Sequence, residues 1–303
     1  MIVQRALHLG MCFGVRDAIA LAKSEATKGP LTVLGDLVHN ETVLEDLRRR
    51  GVRIERRLDS VTTDRLMITA HGASETRLRE VHQRGHNVLE ATCPLVRFAH
   101  DRVAHMVRDG YHPVIIGQRD HVEVRGLTED LVAFDVVLSE DDIRTLAPRA
   151  RFGVAAQTTQ PLPRVHALLA ALRRRFPEAE VRFADTVCLP TKQRQKAAEE
   201  IAMQSDVVLV VGGPQSNNTR ELVATCGRFC ARVHHVQSAA DLSPAWFRSS
   251  DRVGITAGTS TPDVVVDGIE TWLRRLDEAW DWNDATGDAP RTETKTAVLV
   301  PIG

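Results

Sequence analysis

The stretch Asn87-Val88-Leu89-Glu90-Ala91-Thr92-Cys93-Pro94-Leu95-Val96 decides the fold. Residues 87–91 read as a short strand, and residues 97–108 carry the apolar spacing of an amphipathic helix. A cysteine stands between them, where the strand hands over to the helix. The same alternation runs outward in both directions. Strand-like runs recur at 66–70, 113–117, 152–157, 180–184, 206–212 and 252–257, and helical patterns fill 15–27, 76–84, 163–176, 190–204 and 219–230. Strand, helix, strand, helix is the signature of an α/β fold with mostly parallel sheets. The opening Met1-Ile2-Val3-Gln4-Arg5 is also strand-like, segment 281–296 reads as a tail or loop, and 297–302 as a returning strand.

Composition narrows the class. An apolar content of 43% and a charged content of 26% are those of an ordinary globular protein. A formal net charge of −1 in 303 residues argues against coating nucleic acid or an anionic membrane. The runs Arg48-Arg49-Arg50 and Arg173-Arg174-Arg175 read as solvated helix ends. No signal peptide and no apolar run of membrane-spanning length are visible, so a cytoplasmic location is expected. Five cysteines are an odd number, which favours free thiols or metal ligands in a reducing compartment over a disulfide framework.

Reactive side chains gather just past the strand ends. His71 follows 66–70, His121 and Glu123 follow 113–117, and Thr158 follows 152–157. Ser216 and Asn218 follow 206–212, and Ser260 follows 252–257. Cys93 and Cys188 follow 87–91 and 180–184, and Cys12 lies between the first strand and the first helix. Parallel α/β sheets bind ligands beyond the carboxyl ends of their strands, so one shared site is expected.

The spacing of Cys12, Cys93 and Cys188 divides the chain into near-equal parts, each the length of a small α/β unit. The expected units are 13–93, 94–184 and 185–282 joined by the N-terminal strand 1–12, with 283–303 as a tail. Three such units about a common axis would each bring one thiolate to the centre. Three sulfurs leave one corner of a four-iron cluster without a protein ligand, open to a substrate. Taken alone, three scattered cysteines suit buried structural thiols better. Cys226 and Cys230, at helical spacing with no further cysteine nearby, read as packing residues.

An ordered set of segments then resembles one family. The set is Gly10-Met11-Cys12-Phe13-Gly14-Val15, Val38-His39-Asn40, Ala70-His71-Gly72, Ala91-Thr92-Cys93-Pro94-Leu95-Val96, His121-Val122-Glu123-Val124, Gln157-Thr158-Thr159, Cys188 with Arg194-Gln195, Ser216-Asn217-Asn218, and Thr256-Ala257-Gly258-Thr259-Ser260-Thr261-Pro262-Asp263. Together they resemble the 4-hydroxy-3-methylbut-2-enyl diphosphate reductases, the LytB/IspH family, across nearly the whole chain.

The resemblance implies a trefoil of three α/β units around a 4Fe-4S cluster held by Cys12, Cys93 and Cys188. It implies reductive dehydroxylation of an allylic diphosphate to isopentenyl and dimethylallyl diphosphate, with the substrate hydroxyl on the open iron and Glu123 as proton donor, positioned with Thr158. His39, His71, His121, Ser216, Asn217, Asn218 and Ser260 would grip the diphosphate through hydrogen bonds. Ferredoxin or flavodoxin would supply electrons.

The chain departs from the family pattern at Met11, at Asp120 and Val122 around His121, and at Asn217, where a serine is common. Readings that keep the same residues are a paralogue acting on a related allylic diphosphate and a non-catalytic iron–sulfur sensor. A zinc hydrolase and a nucleotide-binding module are further rivals. The latter would need a glycine-rich phosphate loop that Gly212-Gly213-Pro214-Gln215-Ser216-Asn217 does not convincingly supply.

Overall fold

A computed structural model describes residues 1–286. It opens with strand β1 (Ile2–Arg5) and helix α1 (Phe13–Ala26). Next come β2 (Leu31–Leu34), α2 (Glu41–Arg49), β3 (Val52–Glu55), β4 (Arg65–Ile68), α3 (Glu75–Gln83) and β5 (Asn87–Glu90). A second run contains α4 (Pro94–Arg108), β6 (His112–Ile116), α5 (Val122–Thr128), β7 (Asp135–Val137), α6 (Glu140–Thr145), β8 (Arg151–Ala156), α7 (Leu162–Arg175) and β9 (Glu180–Phe183). The third holds α8 (Leu189–Met203), β10 (Val207–Val211), α9 (Asn217–Cys226), β11 (Val233–Val236), β12 (Arg252–Ala257) and α10 (Asp263–Thr286).

The strands form three four-stranded sheets, ordered β3-β2-β4-β5, β7-β6-β8-β9 and β11-β10-β12-β1. Every neighbouring pair is parallel. The three sheets share one plan: the first strand of the unit lies inside, the second outside it, and the third on its other side. In the third sheet the fourth place is taken by β1, from the far end of the chain, with Ile2 opposite Arg252 and Arg5 opposite Ile255. The trefoil α/β architecture expected from the resemblance is therefore present.

Local chemistry explains the elements. β10 is Val-Val-Leu-Val-Val, buried at every position, as a parallel strand covered on both faces requires. Asn40 and Ser74 cap α2 and α3 by accepting from the amides of Val43 and Arg77. Each sheet packs its own apolar cluster: Leu31, Val33 and Met67 in the first; Val114, Phe152 and Val154 in the second; Leu209, Val253 and Ile255 in the third.

Two expectations need correction. Segment 281–296 was expected as tail or loop, but α10 continues to Thr286; the rest of it, and the expected strand 297–302, lie outside the described residues. Helix 219–230 was expected to carry both Cys226 and Cys230, whereas α9 stops at Cys226 and Gly227 follows as its cap. Cys230 closes the turn by donating its amide to the Cys226 carbonyl at 2.9 Å. Both thiols remain in the apolar cluster beneath β10, as the packing reading holds.

Candidate active site

The shared plan places two kinds of residue. Loops leaving the first and third strand of each sheet begin at the point where strand order reverses, where parallel sheets open a crevice. These loops carry His39 and His71 in the first unit, His121 and Thr158 in the second, and Ser216 and Ser260 in the third. Each fourth strand leads instead to a cysteine. Cys12, Cys93 and Cys188 follow β1, β5 and β9, and each is the N-cap residue of the next helix, α1, α4 or α8. None of the three side chains makes the capping hydrogen bond at its helix N-terminus, and Cys188 Sγ instead lies 3.0 Å from Thr191 Oγ1.

Burial pushes the Cys188 thiol up to about 11, and Cys12 and Glu123 add to the rise. Cys93 is raised by burial too, with the same two groups contributing. A Cβ added at Gly14 would lie 2.5 Å from Cys93 Sγ, so the first turn of α1 is packed directly against the second cysteine. Among the described residues no three His, Cys, Asp or Glu side chains lie close enough to hold a single metal ion. A four-iron cluster spreads its thiolates wider than one ion does. Protonated as thiols, these groups would need a cation of high charge to become thiolates, and three helix N-termini add partial positive charge behind them. The donor set therefore suits a cluster.

Arg194 was not singled out as a site residue. It lies on the buried face of α8 and donates through Nε and Nη2 to the Gly10 carbonyl at 2.9 and 2.7 Å. Burial lowers its pKa, while Cys12 and Cys188 raise it. The sequence did hold a signal: an arginine among Thr191, Ala197, Ala198 and Ile201 on one helix face is a cation placed in a core.

Glu123 is 2% exposed. Thr158 donates its backbone N–H to Glu123 Oε1 at 2.6 Å and its hydroxyl to Oε2 at 3.0 Å. Burial lifts the carboxyl to about 7, while both bonds from Thr158 pull it down. Near neutral pH, then, it exists in both protonation states.

Three imidazoles meet beside it. Ring centroids are 4.7 Å apart for His39 and His71, 5.4 Å for His39 and His121, and 5.7 Å for His71 and His121. Burial lowers all three, with His121 falling to about 3 and His71 going well below its ordinary value. They are neutral at neutral pH, each with one N–H to donate.

His39, His71, His121, Glu123, Ser216, Asn217, Asn218 and Ser260 line one cavity. Three polar atoms there are buried without partners: His39 Nε2, Asn217 Oδ1 and Asn218 Nδ2. Buried polar groups are rarely left unpaired, so these await a polar ligand. Ser216 Oγ accepts from the Thr219 amide at 3.3 Å, and Ser260 Oγ donates to the His39 carbonyl at 3.4 Å. Asn217 directs its amide donors to Thr159, at 3.2 and 3.0 Å. Thr159 and Thr259 line the cavity as well, although the sequence reading, which quoted both within motifs, gave neither a site role. The cavity is about 40 Å³, room for a few water-sized groups.

Known proteins with this arrangement can now be compared. The family model for LytB protein matches residues 3–274. The chain belongs to the LytB family. A relative from Trichlorobacter lovleyi, named 4-hydroxy-3-methylbut-2-enyl diphosphate reductase, is 35% identical over 275 residues, covering 90% of this chain and 96% of that protein. One of the same name from Aquifex aeolicus is 32% identical over 279 residues, with 90% and 96% covered. The E-1-hydroxy-2-methyl-but-2-enyl-4-diphosphate reductase from Plasmodium falciparum superposes with a TM-score of 0.83 at 25% identity, over 90% of this chain and 87% of that one. A second structure, (E)-4-hydroxy-3-methyl-but-2-enyl diphosphate reductase, described as the terminal enzyme of the non-mevalonate pathway, gives 0.65 at 29% identity, over 91% and 100%. No helix among the described residues is long and apolar enough to cross a membrane.

Proposed function

We propose that this LytB-family chain is a 4-hydroxy-3-methylbut-2-enyl diphosphate reductase. It removes the allylic hydroxyl with two electrons and two protons, releases water, and leaves isopentenyl or dimethylallyl diphosphate. The observation that supports this reading is that Cys93 and Cys188 each feel Cys12 and the buried Glu123 carboxyl, which itself lines one cavity with three neutral imidazoles.

Cys12, Cys93 and Cys188 would hold a 4Fe-4S cluster, with Arg194 fixing the loop that carries Cys12 through the Gly10 carbonyl. Bound there, the cluster would supply the electrons, delivered from ferredoxin or flavodoxin in the cytoplasm. The remaining work falls to protein side chains.

Hydroxide is a poor leaving group, so the departing oxygen must gain a proton. A carboxyl titrating near 7 can give one and be recharged at neutral pH. Thr158, with its hydroxyl 3.0 Å from Glu123 Oε2, can accept that proton and pass its own to the substrate oxygen. Its backbone N–H meanwhile keeps Glu123 Oε1 fixed. His39, His71, His121, Ser216, Asn218 and Ser260 donate to the diphosphate, whose negative charge favours protonation of the imidazoles it touches. Asn217, with its amide donors on Thr159, ties α9 to the loop carrying Thr158.

The test is anaerobic reconstitution, with absorbance and iron counting, followed by turnover of hydroxymethylbutenyl diphosphate with a low-potential donor. A brown protein with about four irons per chain and reductase activity is expected. A loaded protein that never reduces the substrate would leave the sensor reading in possession.

A further inference from the structure

Beside the small cavity lies a wider vestibule of about 830 Å³, and His39 and His121 line both. Arg56, Arg119, Arg125 and Arg220 line the vestibule, against Asp36 and Asp120. Asp36 is paired with Arg56 at 3.1 Å. Arg119 donates to the Val136 carbonyl at 3.3 Å, and Arg220 to Gln118 Oε1 at 2.8 Å, a neutral oxygen. The ion pairs among the described residues include neither Arg125 nor Arg220. Their charge reaches inward all the same: Arg220 disfavours protonation of both His39 and His121, and Arg125 acts likewise on His121.

The inner cavity has the opposite character. Its described lining holds no arginine or lysine, its only acidic group is the Glu123 carboxyl, and its imidazoles are neutral. A diphosphate carries several negative charges, and hydrogen bonds alone do not draw it in from a distance. Facing Glu123 and three sulfur ligands, it needs cations nearby, and the nearest stand on the vestibule wall.

We propose that Arg220 and Arg125 form a cationic rim that draws the diphosphate through the vestibule onto the three imidazoles. The inference rests on the diphosphate reading of the site and assigns the charge that the inner donors lack. Arg220 sits in the first turn of α9, four residues after its cap Ser216, so the helix that presents Ser216 and Asn218 to the cavity also turns this guanidinium toward the mouth. Arg125 stands four residues after His121, the cap of α5, which is the same relationship on the second unit. Such a field raises capture rates by about tenfold or more, and fades when salt shortens its reach to a few ångströms.

The experiment uses full-length, cluster-reconstituted protein and inorganic diphosphate as probe. Binding is titrated at about 20 mM and about 0.5 M salt for wild type, Arg220→Lys and the double variant Arg125→Gln/Arg220→Gln. Both arginines are exposed, so folding should be untouched. At low salt the double variant should bind about tenfold more weakly, the gap should close at high salt, and Arg220→Lys should stay near wild type. In turnover the loss should fall on kcat/KM rather than kcat. Equal affinities at low salt, or a gap that salt leaves unchanged, overturn the rim. Wild type that binds diphosphate with this salt dependence yet reduces no allylic diphosphate removes the proposed reaction and leaves the rim standing.

Discussion

Arg194 on α8 holds the carbonyl of Gly10 with two guanidinium nitrogens, across 184 residues of chain. Arg194 is 7% exposed and sits beside two of the three cysteines, so the pair fixes the approach of the N-terminal loop to the centre. Arg194→Gln should lose at least one charge-assisted bond, worth about 1.5–3 kcal/mol. Lysine cannot present the same fork, so Arg194→Lys should recover only part of it. Thermal unfolding of metal-free protein together with iron content after reconstitution would check this; an Arg194→Gln protein matching wild type in both excludes the role.

The Glu123–Thr158 pair makes a prediction in pH. A carboxyl raised to about 7 is protonated below that value and ionised above it, so kcat should decline as pH rises through 7. Glu123→Gln should lower kcat by about 10²–10⁴-fold with iron content unchanged. The Thr158 hydroxyl favours the ionised carboxylate, so Thr158→Val should move the falling limb to higher pH while reducing kcat. A limb unchanged in Thr158→Val would assign it to another group.

The imidazole cluster governs acid stability. His39, His71 and His121 all titrate lower in the folded chain than the ordinary value near 6.5, so the unfolded chain binds more protons below that pH. Their contribution to stability is present above pH 6.5 and is lost as pH falls toward 3. Each imidazole that must shed a proton to fold costs up to about tenfold in the folding constant per pH unit. Denaturant midpoints between pH 5 and pH 7 should therefore flatten in His121→Gln. Glu123 runs the other way, stabilising below its unfolded value of 4.5 and losing that contribution as pH rises through about 7.

Two of the close approaches at glycine lie beside site residues. A Cβ at Gly213 would lie 2.4 Å from the His39 backbone oxygen, and one at Gly14 would lie 2.5 Å from Cys93 Sγ. Gly213→Ala presses on backbone and should cost about 1–3 kcal/mol, because the contact joins the first and third units. Gly14→Ala presses on a side chain that can turn away in the metal-free protein but not once it is a ligand. It should fold nearly normally and bind little iron. Full iron loading in Gly14→Ala would contradict the placement of Cys93.

Cys226 separates packing from ligation. It is fully buried in an apolar cluster, and burial pushes its thiol up to about 12. Cys226→Ala should lose roughly 1 kcal/mol of stability and keep full iron content, whereas Cys93→Ala should lose the cluster. Iron counts on the two variants measure the difference.

Much was legible from residue order. Strand-to-helix alternation around Cys93 and Cys188 specifies parallel α/β units, because a strand period and a helix period cannot be confused over such lengths. The same order puts His121, Glu123, Thr158, Ser216 and Ser260 past strand ends. Helix ends were less legible: α9 stops where Gly227 caps it, a stop signal that the expected helix ran through, while α10 continues through a polar run that tertiary packing can hold helical. Arg194 was overlooked because a charge on a helix looks solvated until its face is known to be buried.

By itself, the sequence determined the α/β units, their three cysteines and the reactive loops, since these depend on local periodicity and chain order. Only the tertiary structure decided that β1 completes the third sheet, that three imidazole rings gather with centroids 4.7, 5.4 and 5.7 Å apart, and that burial lifts Glu123 to about 7. Those properties come from groups distant in sequence that displace water from one another, and desolvation has no signature in a local string of residues.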